Sequence, residues 1–484
     1  MPGQHEVSIP ISESGTIKSM FDRQALIERV QKKLKEVLQD HAATSDQVVT
    51  LTLPLPEVHL HNLSAMADDN WFFWAKPEQD EYVIGIGDTL TVTTSGEDRL
   101  KRLAAAFKQL QSRWTRLDPE QTTCHPITFI GFAFAPDDPM DTAWKGMPNT
   151  GLFLPQLLLQ QSDNSCVLSC SWDSSVENDT DIICEQLIGR LEELIATLSH
   201  KPGPSGQRTT LTRIESNPTP DKWLKLVEQL QSGITRGELE KTVLARHIRV
   251  QAQHTLSPVR LSATLNCLYP RSLHFATRFN GVTLTAATPE RLLSCRGSEI
   301  ICDAVGGTTQ RSAEESRDLA FGQALLSDPK TAHEHRVVVD TIKQALEPLC
   351  THLRHSQKPQ LMPLRNLQHL WTEIRGEINP GIGLLDIAAK LHPTGAVNGA
   401  PSKKAFAWLQ QNEPLNRGWY TGAAGWLSAS GDGELAVLLR CALLDGDCAE
   451  LYAGAGITAG SDPAAEFKET ELKFFAMLEA LENA

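Results

Sequence analysis

The 484-residue chain lacks the features that mark several classes of protein. No window approaches about 18 uninterrupted apolar residues, so no membrane-spanning helix is expected. None of the ten cysteines forms a Cys-x-x-Cys pair or stands near a zinc-type histidine spacing. The formal net charge is −14, and the sequence contains no run of Lys and Arg residues. Both observations argue against nucleic-acid binding through a basic face.

The composition is that of an ordinary globular protein, with 41% hydrophobic and 21% charged residues. The first 15 residues are polar and lack the basic and apolar segments of a secretory leader. Because most cysteines stand in apolar stretches, we expect buried, reduced thiols and a cytoplasmic protein. At roughly 150 residues per domain, the length alone would predict about three domains.

Helical and strand patterns alternate without a regular βαβα rhythm, which favours an α+β fold with mostly antiparallel sheets. In the first half we predict an amphipathic helix beginning near residue 20, helices 98–114 and 180–198, and strands 47–53, 82–87, 127–135, 152–160 and 166–171. The turn-rich segment 201–207 is predicted to connect an N-terminal α/β lobe (1–207) to a catalytic region (208–484).

The second half has the more informative pattern. We predict helices 220–236, 256–268, 312–326, 330–348, 383–390, 401–411 and 463–482, and strands 240–251, 271–279, 281–287, 299–303, 370–376, 422–429, 433–442 and 449–454.

A glycine-rich segment, 452–461, ends one of these strands and precedes the last helix. Its spacing, Gly454-x-Gly456-x-x-x-Gly460, is one residue too long for a dinucleotide fingerprint, and no Walker Lys-Ser/Thr follows. The segment is therefore a tight turn or a place where backbone N–H groups meet an anion such as a carboxylate.

Three charged residues lie along one stripe of the last helix: Glu466, Glu469 and Lys473, at i, i+3 and i+7. A solvated face is the usual explanation of such a stripe, but this one directly follows a candidate anion loop. On another predicted helix, Glu334 stands near the apolar boundary. His333-Glu334-His335 is not a zinc motif, whereas a carboxylate from each helix would suit Mg²⁺.

Two further residues mark strand ends: Lys241 begins an apolar strand and Glu290 closes another. Each is a weak signal alone, because most lysines are solvated and most strand-end glutamates lie in turns. Together they are the base and acid that proton transfer requires.

These motifs occur in the order found in a known family. They are Lys241-Thr-Val-Leu-Ala-Arg246, Ala287-Thr-Pro-Glu-Arg-Leu292, Gly306-Gly-Thr308, Lys330-x-x-x-Glu-His335, Leu391-His-Pro-Thr394, Gly399-Ala-Pro401, Arg440-Cys-Ala442, Tyr452-Ala-Gly-Ala-Gly-Ile457 and Glu466-x-x-Glu469-x-x-x-Lys473. Over roughly residues 220–484 the chain resembles the chorismate-utilising enzymes, and among them the isochorismate synthases.

The resemblance implies one large body of stacked, mostly antiparallel sheets flanked by helices, with the site in a cleft. It implies Mg²⁺ held by Glu334 and Glu469, with Glu466 nearby through water. It places further residues around chorismate: Arg440, Tyr420, Gly454 and Gly456 at the enolpyruvyl carboxylate, Lys473 and Thr308 at the ring carboxylate and metal, and His392 in the pocket wall.

The implied reaction adds water at ring C2 while hydroxide leaves C4, with Lys241 as base and Glu290 as acid. Neutral lysine and protonated glutamate near pH 7 require burial or suitable neighbours. Ala396 stands where related salicylate and ammonia-using enzymes typically carry Thr, which favours water as the nucleophile. Gly306 replaces the usual Ala of isochorismate synthases.

Alternatives within the same scaffold are a salicylate synthase, or the large component of an anthranilate or aminodeoxychorismate synthase. The last two would need a glutaminase partner, for which this chain has no amidotransferase Cys motif. A silent chorismate-binding paralogue is a non-enzyme alternative. We expect chorismate as the partner, no nucleic acid or membrane, a monomer or weak homo-oligomer, and a product used for menaquinone or a siderophore.

Overall fold

The structure, a computed structural model, describes residues 23–41, 46–55, 70–122, 124–162, 165–198 and 208–484. Its helices are α1 (Arg23–His41), α2 (Arg99–Arg113), α3 (Thr180–Leu198), α4 (Pro220–Thr235), α5 (Pro258–Leu268), α6 (Glu315–Ser327), α7 (Pro329–Leu346), α8 (Leu384–Leu391), α9 (Ser402–Asn412) and α10 (Pro463–Glu482). None of these helices is long and apolar enough to span a membrane.

The strands of the first half are β1 (Val48–Leu55), β2 (Trp71–Lys76), β3 (Glu81–Ile86), β4 (Leu90–Thr94), β5 (Trp114–Leu117), β6 (Ile127–Phe132), β7 (Thr150–Leu154), β8 (Leu157–Ser162) and β9 (Ser165–Asp173). Those that follow are β10 (Thr212–Asn217), β11 (Lys241–Gln251), β12 (Leu273–Phe279), β13 (Val282–Thr288), β14 (Arg291–Arg296), β15 (Glu299–Gln310), β16 (Cys350–His355), β17 (Gln360–Pro363), β18 (Leu367–Ile378), β19 (Gly399–Ala400), β20 (Ala423–Ser428), β21 (Gly433–Val437), β22 (Cys441–Asp445) and β23 (Cys448–Ile457).

These strands form two large sheets. The first has the order β10-β11-β23-β22-β13-β12-β2-β3-β8-β9-β1-β5, with β19 beside β11; the second has the order β16-β18-β15-β14-β21-β20-β6-β7-β4, with β17 beside β18. The pairs are antiparallel except for β1 with β5. The α+β class and the mostly antiparallel sheets predicted from the sequence are thereby confirmed.

Both sheets combine strands from either side of the predicted boundary at residue 207. Strand β2 pairs with β12 in the first sheet, and β6 pairs with β20 in the second. The boundary itself stays a prediction, and its linker, 201–207, lies outside the described residues, as does the predicted helix start near residue 20.

An aromatic layer fills part of the space between the sheets. Phe72 stacks on Phe129 and Phe153, with ring centroids 5.0 and 4.7 Å apart. Successive residues of a strand point to opposite faces, so Phe73, next to Phe72, packs instead into the core under α1 and α3. Helices cover the outer faces, which leaves the space between the sheets for a site.

Two strand predictions were wrong in the same way. The apolar run 433–442 is not one strand: it divides into β21 of the second sheet and β22 of the first, and the run 152–160 divides likewise into β7 and β8. Arg440 lies in the first break with φ of 49°, a conformation that ends a strand. Each run is apolar along its whole length because both of its halves are buried, although in different sheets.

Candidate active site

A cavity of about 250 Å³ lies between the sheets, bordered by α7 and α10. The predicted site residues that line it are Lys241, Glu290, Thr308, Glu334, Ala396, Tyr420, Arg440, Gly454, Gly456, Glu466, Glu469 and Lys473. Residues separated by more than 200 positions are thus brought into one pocket. Their chemical roles remain predictions at this point.

Lys241 reaches the cavity from the first residue of β11 and is 4% exposed. A Cβ on Gly456, on the neighbouring strand β23, would lie 2.8 Å from Lys241 Cε and 3.4 Å from Nζ. Glycine is therefore needed at 456 for the lysine side chain to cross the strand. Burial lowers the pKa of Lys241; the carboxylate of Glu334 opposes this shift, and the ammonium of Lys473 adds to it.

Glu290 lies where the chain passes from β13 of the first sheet to β14 of the second, and Arg440 lies where it returns from β21 to β22. We call these two connections the seam. They are bonded to each other: Val437 N donates to Glu290 O (3.0 Å), and Ala287 N donates to Arg440 O (3.1 Å). The seam therefore fixes the candidate acid next to a candidate carboxylate-binding arginine.

Burial also governs the charge of Glu290, which is 3% exposed. It raises the pKa of Glu290 to about 8, and the nearby carboxylate of Asp303 adds to the shift, although Arg440 and Lys241 oppose it. A carboxyl group with such a pKa keeps its proton at neutral pH. Glu290 can accordingly donate a proton where an ordinary glutamate cannot.

Arg440 provides positive charge to the same cavity. Among the residues that the structure describes, no carboxylate forms an ion pair with its guanidinium. Next to it, Tyr420 stacks on Tyr452 with centroids 5.2 Å apart, and the hydroxyl of Tyr420 is 3.1 Å from where a Cβ on Gly454 would lie. An arginine without an ion pair is suited to bind a carboxylate here, because it lies next to a phenol hydroxyl and to a strand whose glycine has no side chain over the backbone.

The opposite wall carries the acidic side chains. Pro463 is at the first position of α10 and Asp462 caps the helix by accepting from Ala465 N (2.8 Å). Lys473 Nζ donates to Glu469 Oε1 (2.6 Å) and to the carbonyl of Gly454 (2.8 Å). The lysine thereby ties the acidic stripe of α10 to strand β23.

Glu466 is the most buried of the three acids, at 7% exposure, and its Oε1 lies 3.4 Å from Lys330 Nζ. Burial raises the pKa of Glu466, and the nearby charges of Glu469 and Glu334 add to the shift. The three carboxylates are thus close enough to repel one another. Such a group is stabilised by a cation.

The donor set fits Mg²⁺. Nowhere in the described ranges do three or more His, Cys, Asp or Glu side chains already converge as a complete ligand group. Mg²⁺ does not need one, because it keeps several waters and takes one or two carboxylates plus oxygens of the substrate. Glu334 and Glu469, with Glu466 behind them, supply that kind of wall.

His392 is not among the residues that line the cavity, contrary to the expectation from the sequence. Its ring lies edge-on to Phe132 (5.0 Å), and its Nε2 donates to the carbonyl of Thr421 (2.9 Å). Burial lowers the pKa of His392 to about 3. The histidine therefore supports cavity-lining Thr421 from behind as a neutral side chain.

Sequence reasoning missed His369, which lines the cavity from β18. Its Nδ1 lies 3.1 Å from both Thr308 Oγ1 and the carbonyl of Gly307, so Nδ1 carries the proton that the carbonyl accepts. Within the described chain Nε2 has no partner, and burial lowers the pKa of His369 to about 3. A single histidine in a strand gives no local signal of this position.

The fold and the cavity define a class: a two-sheet α+β protein whose inter-sheet pocket combines a buried lysine, a buried glutamate, an arginine without an ion pair and a wall of carboxylates. The chain belongs to the chorismate binding enzyme family, whose model matches residues 32–482.

Similar proteins cover nearly the whole chain. The isochorismate synthase MenF of Escherichia coli (strain K12) is 30% identical over 464 residues, which is 93% of this chain and 97% of that protein. The salicylate biosynthesis isochorismate synthase of Pseudomonas aeruginosa is 30% identical over 412 residues, 84% of each chain. The solved structure of MenF, the menaquinone-specific isochorismate synthase from Escherichia coli, matches with a TM-score of 0.76 and 27% identity, over 93% of this chain and 99% of that one.

Proposed function

We propose that this protein is an isochorismate synthase, an isomerase that converts chorismate to isochorismate with Mg²⁺. The observation that carries the proposal is the pair of oppositely shifted groups on one cavity. Burial lowers the pKa of Lys241 and raises that of Glu290 to about 8, so the cavity favours the neutral form of the amine and the protonated form of the carboxyl group. Such a pair can add a nucleophile at one carbon while a hydroxyl leaves another.

In the proposed reaction Lys241 takes a proton from water as the water oxygen bonds to ring C2. The ring double bonds shift, the C4–O bond breaks, and Glu290 gives its proton to the departing hydroxyl, which leaves as water. One water is consumed and one is released, so the reaction is an isomerisation. Afterwards Lys241 is charged and Glu290 ionised, and exchange with solvent restores both.

The remaining residues bind and orient the dianion. Arg440 and Tyr420 hold the enolpyruvyl carboxylate, and Lys473 and Thr308 hold the ring side. Bound Mg²⁺ would compensate charge on the ring carboxylate, with Glu334 and Glu469 as ligands and Glu466 behind them.

Ala396 supports isochorismate as the released product. Its methyl group lines the cavity and offers no hydroxyl to the ring. Water accordingly remains the nucleophile, and no further elimination is assisted from this position. The ammonia-using alternatives have no comparable support in the cavity.

The decisive experiment incubates purified protein with chorismate and Mg²⁺ and separates the products by chromatography. Isochorismate as the product, lost with EDTA and restored by Mg²⁺, is expected. Salicylate with pyruvate, or a product formed solely with ammonia, would contradict the proposal. Chorismate binding without conversion would identify a silent paralogue.

We further propose a cytoplasmic enzyme, monomeric or a weak homo-oligomer, whose product enters menaquinone or siderophore synthesis. One relative is named as menaquinone-specific and another for salicylate biosynthesis, which supports these two routes. Isochorismate-dependent growth rescue, scored separately for quinone and siderophore production in a strain without its own synthase, distinguishes them.

A further inference from the structure

Strand β11 carries two buried cations on opposite faces. Lys241 and Val243 face the cavity, whereas Leu244 packs into the core beneath α4. Since side chains alternate along a strand, Arg246 shares the face of Leu244 and is turned away from the cavity. Arg246 is 0% exposed, and the proposed reaction gives it no role.

The guanidinium of Arg246 is enclosed by one stripe of α10. Its Cζ lies 4.0 Å from the ring centroid of Phe467 and 5.2 Å from that of Phe474. Its Nη1 donates to Thr470 Oγ1 (2.9 Å) and Glu471 Oε1 (2.8 Å). Stacking and charge-assisted bonds together hold the helix from one side.

The far end of this contact is also fixed. Arg246 Nη2 donates to Ser216 Oγ on β10 (3.0 Å), and Glu471 accepts two further bonds from Arg213 of the same strand (2.9 and 2.8 Å). The arginine consequently joins β11, β10 and α10. We call Arg246 with Phe467, Thr470, Glu471 and Phe474 the arginine clamp.

The clamp and the cavity stripe are offset by a single residue. Phe467, Thr470 and Phe474 each directly follow a cavity residue: Glu466, Glu469 and Lys473. One residue along an α-helix is a rotation of about 100°. When Arg246 holds the stripe of Phe467, Thr470 and Phe474, only one orientation of α10 about its own axis directs the other stripe toward the cavity.

We propose that Arg246 is a positioning residue that sets the rotation of α10, and with it the aim of Glu466, Glu469 and Lys473 into the cavity. The proposal rests on the proposed function, since it concerns the carboxylates assigned there to Mg²⁺. Loss of the clamp should allow α10 to rotate and weaken cation binding without removing any cavity residue.

The test compares Mg²⁺ affinity by titration calorimetry, without chorismate, in the full-length protein. Arg246→Lys keeps the charge but loses the planar fork and the stacking, so Mg²⁺ binding should weaken about tenfold. The Mg²⁺ concentration for half-maximal activity should rise by the same factor, with a smaller fall in kcat at saturating Mg²⁺. Arg249→Met, a charge removed from the opposite face of β11, should stay within about twofold of wild type.

A second control separates positioning from mere loss of stability. Leu187→Ala removes a buried side chain of α3 from the core under α1 and α3, which does not include residues of α10. This variant should lower the melting temperature while leaving Mg²⁺ affinity unchanged. If Arg246→Lys does not fold, Glu471→Gln at the more exposed end of the clamp should still weaken Mg²⁺ binding two- to threefold.

The proposal is overturned if folded Arg246→Lys, or Glu471→Gln in its place, binds Mg²⁺ like wild type, or if Leu187→Ala weakens binding as much. A wild-type protein that binds Mg²⁺ but leaves chorismate unchanged would instead refute the proposed function. The effect of the clamp variants on Mg²⁺ affinity could still be measured in that protein. Wild type without Mg²⁺ binding would overturn the metal assignment and the clamp together.

Discussion

Two cavities lie along the same face of β11 and β23, and they differ in what their charges do. The candidate active site is bordered by Lys241 and Gly456, and a larger cavity of about 760 Å³ is bordered further along by His247 and Glu450. Ala245, midway on β11, packs in the apolar layer between them. The two cavities thus share a scaffold, and volume alone would select the wrong one.

In the larger cavity the buried carboxylates have partners within the protein. His247 Nδ1 lies 2.8 Å from Glu450 Oε1, and Glu413 is held by Arg417 at 2.6 Å. In the smaller cavity Arg440 has no carboxylate partner among the described residues, and Lys241 is buried with a lowered pKa. The candidate active site therefore differs from the larger cavity by charged groups that have no protein partner, as expected of a site that binds an ionic ligand. Its volume does not distinguish it.

The largest difference between the two cavities is expected in the kcat values of variants on β11. Lys241→Ala should lower kcat by about 10²- to 10⁴-fold because the base is lost, while chorismate still binds. Arg249→Met, in the larger cavity, should change kcat by less than twofold. Steady-state kinetics with binding calorimetry checks both, and a Lys241→Ala enzyme within tenfold of wild type would remove the base role.

The unpaired arginine is the next most sensitive feature. Arg440→Met should raise the KM for chorismate by about 10- to 100-fold, since a charge-assisted contact to a carboxylate is lost. Arg440→Lys should fall between this variant and wild type. Equal KM values for all three proteins would show that the substrate carboxylate binds elsewhere.

The buried acid predicts that activity and stability both fall as pH rises, but over different pH ranges. Activity should decline as pH rises through about 8, where Glu290 ionises. Below that, the folded state keeps a proton that the unfolded state releases near its usual value of 4.5, so the free energy of unfolding should fall as pH rises from about 4.5 to 8. Glu290→Gln removes this term.

The melting temperature of Glu290→Gln, relative to wild type, should accordingly be higher at pH 8 than at pH 5. Thermal unfolding at the two pH values measures this difference. An unchanged difference would mean that Glu290 is ionised in the folded protein at neutral pH, which would exclude it as the acid.

The smallest effect is expected at Gly306, where the resemblance leads one to expect alanine. A Cβ there would come no nearer than 3.6 Å to any neighbour, His335 included, so Gly306→Ala should leave kcat and melting temperature nearly unchanged. Gly307→Ala is the matched contrast, because φ is +71° and its Cβ would lie 2.1 Å from Thr331 Cγ2. Equal tolerance of both would contradict this account of the loop.

The sequence predicted the fold class and the long helices, because these depend on local periodicity. It did not predict the division of 433–442, since an apolar run cannot reveal that its two halves enter different sheets. Strand β15 was predicted as 299–303 but continues to Gln310, because pairing with β18 extends it through Gly306 and Gly307.

The candidate site was predictable where residues belong to ordered motifs, as with Lys241, Glu290 and Glu469. His369 was missed because its partners, Thr308 and Gly307, lie some 60 positions away. His392 was expected in the cavity wall and lies behind it, since a motif gives a residue's place in the chain and not its depth.

Strand β11 finally sets a rule of parity for this part of the chain. Lys241 must face the cavity and Arg246 must face α10, so the number of steps between them has to be odd, as the five here are. Inserting or deleting one residue between them would turn one of the two to the wrong side. A related sequence with an even Lys–Arg spacing can keep the base or the arginine contact to the helix, but not both.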